Sequence, residues 1–132
     1  MRSRRTPPSA AAGEAAVRVP EGLRRELQEL GLRTYEARAV VALLQVDSAN
    51  SAELAELAGL PRTSTYEVMA GLIHQGLALR VAKRGPAAWS GVGWAAVLDA
   101  LDAAEEQRLR YHHTRTRLLR QALAQVLPPR AS

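Results

Sequence analysis

NSAELAELAGLPRTSTYEVMAGLIHQGL, residues Asn50 to Leu77, carries the densest local signals in the chain. Asn50 is placed to cap the amide three residues on, and Glu53 to reach back to the capping residue's own amide. Leu54, Leu57 and Ala58 then share one face of a short helix, and Gly59 allows a sharp exit from it. Pro61 suits the first turn of a second helix, where its missing amide hydrogen costs nothing. Two short helices joined by so tight a turn make a helix-turn-helix, whose second helix commonly enters a DNA major groove.

Upstream, residues 1–19 are rich in Ala, Pro, Ser and Arg without apolar periodicity, which predicts a disordered basic arm over 1–20. From Glu21 the pattern turns helical. Leu23, Leu27 and Leu30 recur at helical spacing and Gly31 ends the run. Thr34 is a candidate cap for the next helix, with Tyr35, Ala39, Val40, Leu43, Leu44 and Val46 on its buried side. Asp47 to Ala49 is a loop on this reading.

Downstream of Gly76 the period shifts toward two. Leu77, Leu79 and Val81 alternate, KRGPA supplies a turn, and Ala88, Trp89, Ser90 and Val92 form a return strand. Such a hairpin is marginal alone and must pack on the helices. Its small basic tip, Lys83 and Arg84 with Gly85 and Pro86, has the composition of a wing. From Trp94 a single long helix runs to Val126, stopped by Pro128 and Pro129. The expected organisation is an arm (1–20), a winged helix-turn-helix (21–93), a C-terminal helix (94–127) and a tail (128–132). The fold class is mainly α with a small β-hairpin.

Bulk properties narrow the function. With 132 residues there is room for one small domain and an extension. Phe and Cys are absent, so the core rests on Leu, Val and Ala, and disulfides and thiolate metal sites are excluded. No secretory signal or membrane span is evident, which points to a cytoplasmic protein. The net charge of +5 fits a nucleic-acid partner. Residues 50–93, however, hold four basic and three acidic groups, so charge argues only weakly for the reading head itself. His112 and His113 are adjacent and point about 100° apart on a helix, His74 has no ligand partners, and no nucleophile or phosphate-loop motif appears. Neither enzyme nor metal site nor cofactor is expected.

Three segments in order carry a family resemblance: LQELGLRTYEARAVVALL (Leu27 to Leu44), the AELAELAGLPRTSTYEVMAGLIHQGL run, and GPAAWSGVGWAAVLDAL (Gly85 to Leu101). They resemble the N-terminal region of TrmB-type transcription regulators, winged-helix proteins related in architecture to MarR-type regulators. The resemblance covers roughly residues 23–126. It implies a DNA-binding winged helix and, often, dimerisation through the helix that follows the wing. Many members carry a C-terminal sugar-binding domain, which this chain is expected to lack. Where relatives tend to show a Pro-containing junction at the wing's exit, this sequence has Gly93-Trp94.

On a recognition helix over 61–76, Thr65, Val68, Met69, Leu72 and Ile73 cluster as a core face at about 100° per residue. Thr63, Glu67, Ala70 and His74 lie opposite, with Ser64 and Tyr66 on the borders. The N-terminal end of such a helix usually makes the base contacts. Arg62 is then a candidate for a bidentate guanine pair or for a phosphate. Thr63 and Ser64 are candidates for phosphate, and Thr63 also for a thymine methyl. Tyr66 either packs at the core edge or touches phosphate. Glu67 accepts from cytosine or else repels the backbone. Lys83 and Arg84, on the wing over 77–92, are candidates for salt-sensitive backbone contacts. On the C-terminal helix Trp94, Leu98, Leu101, Leu118, Leu119, Ala122 and Val126 are the candidate dimerisation residues.

The favoured expectation is a homodimeric, sequence-specific DNA-binding regulator associated with the nucleoid. Two alternatives stand beside it. One is a winged-helix module for protein–protein interaction through the C-terminal helix. The other is a non-specific architectural DNA-binding protein driven by arm and wing.

Overall fold

A computed structural model describes residues 20–81, 86–128 and 130. The chain falls into two compact units that part between Ala100 and Leu101. In the first, elements follow in the order α1 (Glu21–Glu29), α2 (Thr34–Leu43), β1 (Ala49–Asn50), α3 (Ser51–Ala58), a 3₁₀ turn (Arg62–Ser64), α4 (Thr65–His74), β2 (Ala78–Arg80) and β3 (Ala88–Gly91). Helix α5 (Trp94–Val126) starts in this unit and forms nearly all of the second.

Helix α2 is the central element. Ala37, Ala39, Val40, Val41, Ala42 and Leu43 are all buried, so the helix is covered on most sides rather than along one stripe. Tyr35 and Leu44, read from sequence as part of the buried side, are partly exposed instead. Thr34 is not the cap. The extended residue at that place is Arg33, whose N–H donates to the Glu36 carboxylate at 2.9 Å, while the Thr34 hydroxyl accepts from the Gln28 side chain at 3.1 Å. Leu54, Met69, Leu72, Leu77, Val40 and Val41 fill the interior with Thr65, and Trp89 closes it from the sheet.

The capping expected at Asn50 is present in both directions. Its side-chain oxygen accepts the Glu53 N–H and its own N–H donates to the Glu53 carboxylate, each at 2.9 Å. Gly59 ends α3 in the left-handed region, φ 72° and ψ 39°, and the Leu60 N–H closes onto the Ala55 carbonyl at 2.9 Å.

Two sequence expectations need correction here. Ala49 belongs to a strand, not to a loop, and the sheet has three strands in the order β1-β3-β2, all antiparallel. Ala49 faces Trp89 and Asn50 faces Ala88, so one residue both pairs in the sheet and caps α3. Strand β2 also runs in a different phase from the one expected: Leu77 and Ala78 are buried, whereas Leu79 and Val81 are exposed. The reason is the closure of α4. The Leu77 N–H returns to the Leu72 carbonyl at 2.8 Å through Gly76 at φ 79°, which holds Leu77 against the helix before the strand begins.

Candidate nucleic-acid interface

The recognition element does not begin as an α-helix at residue 61. Pro61 is extended, with ψ 138°, so Arg62, Thr63 and Ser64 form a tight 3₁₀ lead-in and α-helical geometry starts at Thr65. The Ser64 N–H and the Thr65 hydroxyl both donate to the Pro61 carbonyl, at 2.9 and 3.3 Å. Thr65 is fully buried, and that bond satisfies its hydroxyl. At the other end the α-helix stops at His74, two residues before the boundary expected.

The faces divide as their residue types require. Thr65, Met69 and Leu72 have no exposed surface. Arg62, Thr63, Tyr66, Glu67, Ala70 and His74 are exposed, Ser64 and Val68 are half-buried, and Ile73, assigned to the core face from sequence, is exposed. Thus the five candidate contact residues of this element lie together on the lead-in turn and the first turn of α4. Tyr66 has a second engagement: its ring meets the buried Trp89 ring edge-on, centroids 5.3 Å apart and planes at 89°. The recognition element is thereby braced on the central strand of the sheet.

The turn before it is braced as well. Arg38 of α2 donates to the Gly59 carbonyl at 3.3 Å and lies over the Tyr35 ring. At the far end, Gln75 donates to Glu36 at 3.1 Å, so a single carboxylate caps α2 and holds the end of α4. Between these helices a groove of about 640 Å³ is lined by Arg33, Thr34, Tyr35, Glu36, Ser64, Glu67, Val68 and Gly71. Arg33 and Tyr35 therefore border the exposed side of the recognition element, a neighbourhood missed from sequence because helical periodicity says nothing about which helix starts lie side by side.

Lys83 and Arg84 lie outside the described residues, as does the arm over 1–19. On α5, Trp94, Leu98, Leu118, Leu119, Ala122 and Val126 are exposed, whereas Leu101 is buried within its own chain. No helix of the described residues is long and apolar enough to cross a membrane, and no three His, Asp or Glu side chains among them gather at metal-binding distance.

The sequence profile of a family described as "Sugar-specific transcriptional regulator TrmB" matches residues 27–94, more than half of the chain, from the end of α1 through β3. The chain belongs to the TrmB family. TrmB members are DNA-binding transcription regulators. Among solved structures, the chain is similar to TrmBL2, described as an archaeal chromatin protein with a novel mode of DNA binding. Identity is 26%, the TM-score 0.66, and the match covers 86% of this chain. It spans only 45% of the TrmBL2 chain. A MarR-family regulator from Silicibacter pomeroyi matches at 21% identity and TM-score 0.49, covering 83% of this chain and 82% of its own. Another from Neisseria meningitidis matches at 20% and 0.48, covering 80% and 82%. No curated protein sequence matches significantly.

Proposed function

We propose that this TrmB-family chain is a sequence-specific regulator that binds double-stranded DNA as a homodimer, with residues 21–93 as the reading unit and 94–127 as the dimerisation helix. The observation that carries the proposal is the division of α4 and its lead-in turn. One face is locked in the core by Thr65, Met69 and Leu72, and the other offers Arg62, Thr63, Tyr66 and Glu67 to a partner. A helix held so firmly on one side and polar at the N-terminal end of the other is suited to a major groove.

In this reading Arg62 takes a guanine edge or a phosphate, and Thr63 and Ser64 take phosphate oxygens. Tyr66 keeps its ring on Trp89 and turns its hydroxyl to the backbone. Glu67 faces base edges, where a cytosine amine is its complement. The wing, with Lys83 and Arg84, adds salt-dependent affinity without sequence preference.

A second reading is non-specific architectural binding. What favours it is the likeness to TrmBL2, whose own description is that of a chromatin protein. One experiment separates the two. The protein is incubated with random and genomic fragments, the bound pool is sequenced, and affinity is titrated against salt. An enriched, two-fold symmetric motif supports the specific dimer. Retention without a motif supports architecture. Absence of binding at low salt removes both and leaves a protein-interaction module.

A further inference from the structure

Helix α5 is unlike the rest of the described chain. From Asp102 to Pro128 every side chain is exposed, Leu109, Tyr111, Leu118, Leu119, Leu123 and Val126 among them. A helix in water draws most of its stability from packing an apolar face, and among the described residues these side chains have nothing to pack on. The charges are segregated along it. Asp99, Asp102, Glu105 and Glu106 come first along it, and Arg108, Arg110, Arg115, Arg117 and Arg120 follow. Glu105 and Arg108, at the junction, are ion-paired within the helix.

We infer that α5 pairs antiparallel with α5 of a second copy, about a two-fold axis passing close to Arg110. The inference rests on the homodimer proposed above and adds its orientation and register. Steps of three and four residues from Trp94 trace one seam: Leu98, Leu101, Glu105, Arg108, His112, Arg115, Leu119, Ala122 and Val126. In a parallel pair each of these residues meets its own copy. Glu105 then faces Glu105, Arg108 faces Arg108 and Arg115 faces Arg115, so the middle of the seam is stacked with like charge. The acidic stretch also lies along an acidic stretch.

Reversal about Arg110 removes these conflicts together. Trp94 meets Val126 of the second copy, Leu98 meets Ala122, and Leu119 comes to the level of Leu101. Glu105 meets Arg115, and Arg108 meets His112. Apolar layers close both ends, and inside them the opposite charges of Glu105 and Arg115 meet on either side of the centre. Leu101 is the seam member already buried in the single chain, so Trp94 and Leu98 supply the open surface of that end.

The chain has no cysteine, which makes cross-linking clean. Leu98→Cys and Ala122→Cys proteins are prepared separately, brought to sedimentation equilibrium without DNA, and treated with a short bis-maleimide. The expected result is a dimer by sedimentation, with neither variant cross-linking alone and covalent dimer appearing when the two are mixed and allowed to exchange. As a second readout, Glu105→Arg dissociates the dimer and the added Arg115→Glu restores it. Cross-linking of Ala122→Cys with itself, or a monomer at all concentrations, overturns the inference. DNA binding by the same proteins keeps the two claims apart. A self-linked dimer that binds DNA refutes the orientation alone, and an antiparallel dimer with no DNA affinity refutes the proposed function alone.

Discussion

Tyr66 is the residue at which folding and recognition can be separated by a single atom. Its ring stands edge-on to Trp89 at 5.3 Å, and the residue is 54% exposed. Full burial of a large apolar side chain stabilises by about 1.5–3 kcal/mol, so about half of that belongs to Tyr66. The edge-to-face pair adds about 0.5–1.5 kcal/mol. Alanine recovers roughly 0.5 kcal/mol through its better helix propensity. Tyr66→Ala should therefore destabilise the fold by about 1–2.5 kcal/mol. Tyr66→Phe keeps the ring and should leave stability within about 0.5 kcal/mol of the parent. If the hydroxyl bonds a phosphate, Tyr66→Phe should still weaken DNA binding by about 1–2 kcal/mol, roughly five- to thirtyfold. Denaturant titration measures the first quantity and fluorescence anisotropy on the selected duplex the second. A Tyr66→Phe protein that binds as tightly as the parent removes the hydroxyl from the interface. An unchanged denaturation midpoint for Tyr66→Ala refutes the bracing of α4 on the sheet.

Arg62→Ala should weaken binding to a selected duplex by about 1–3 kcal/mol if Arg62 reads a base; equal loss on random DNA, seen by parallel anisotropy titrations, assigns it to phosphate instead. Asn50→Ala removes the acceptor for the Glu53 N–H and should cost about 1 kcal/mol of stability, whereas Asn50→Asp should keep most of it; equal losses in thermal melts refute the cap. Gly91→Ala should destabilise by about 1–3 kcal/mol, because a Cβ there stands 3.1 Å from the Leu43 carbonyl oxygen and 3.2 Å from its Cβ; a melt at the parent temperature means that α2 can retreat from β3.

The parts of the fold that were legible in sequence are those written in local chemistry. Asn50 with Glu53, Gly59 in the left-handed region, and the apolar spacing of Met69 and Leu72 each act within a few residues, and each took the expected form. The long helix from Trp94 to Val126 likewise followed from its stop signals. What escaped depended on distant partners. A two-residue strand at Ala49 and Asn50 has no period to detect, and it exists only because β3 arrives to pair with it. Val41 and Ala42 are buried because α2 is surrounded, which no one-sided stripe announces. The candidate contact residues of the recognition element lie side by side, but their 3₁₀ lead-in was not legible, since Pro61 fits either a helix start or the extended residue before one. Arg33 and Tyr35 were overlooked for the same reason as β1: their proximity to Ser64 and Glu67 is tertiary.

The strand order has a consequence for how the protein can be divided. Because β3 is the middle strand, the last element of the winged helix is hydrogen-bonded on one edge to β1 and on the other to β2. Trp89 on that strand fills the interior and supports Tyr66. A fragment ending at Gly76 would keep every residue of the helix-turn-helix and lose the strand that joins its two flanks. It would leave Ala49 and Asn50 unpaired, and the place of the Trp89 ring empty. The helix-turn-helix is in this sense not a transplantable module. The shortest piece able to present Arg62 and its neighbours in fixed positions must run on through Gly91, so a domain graft or truncation series should show reading ability appearing only once that strand is included.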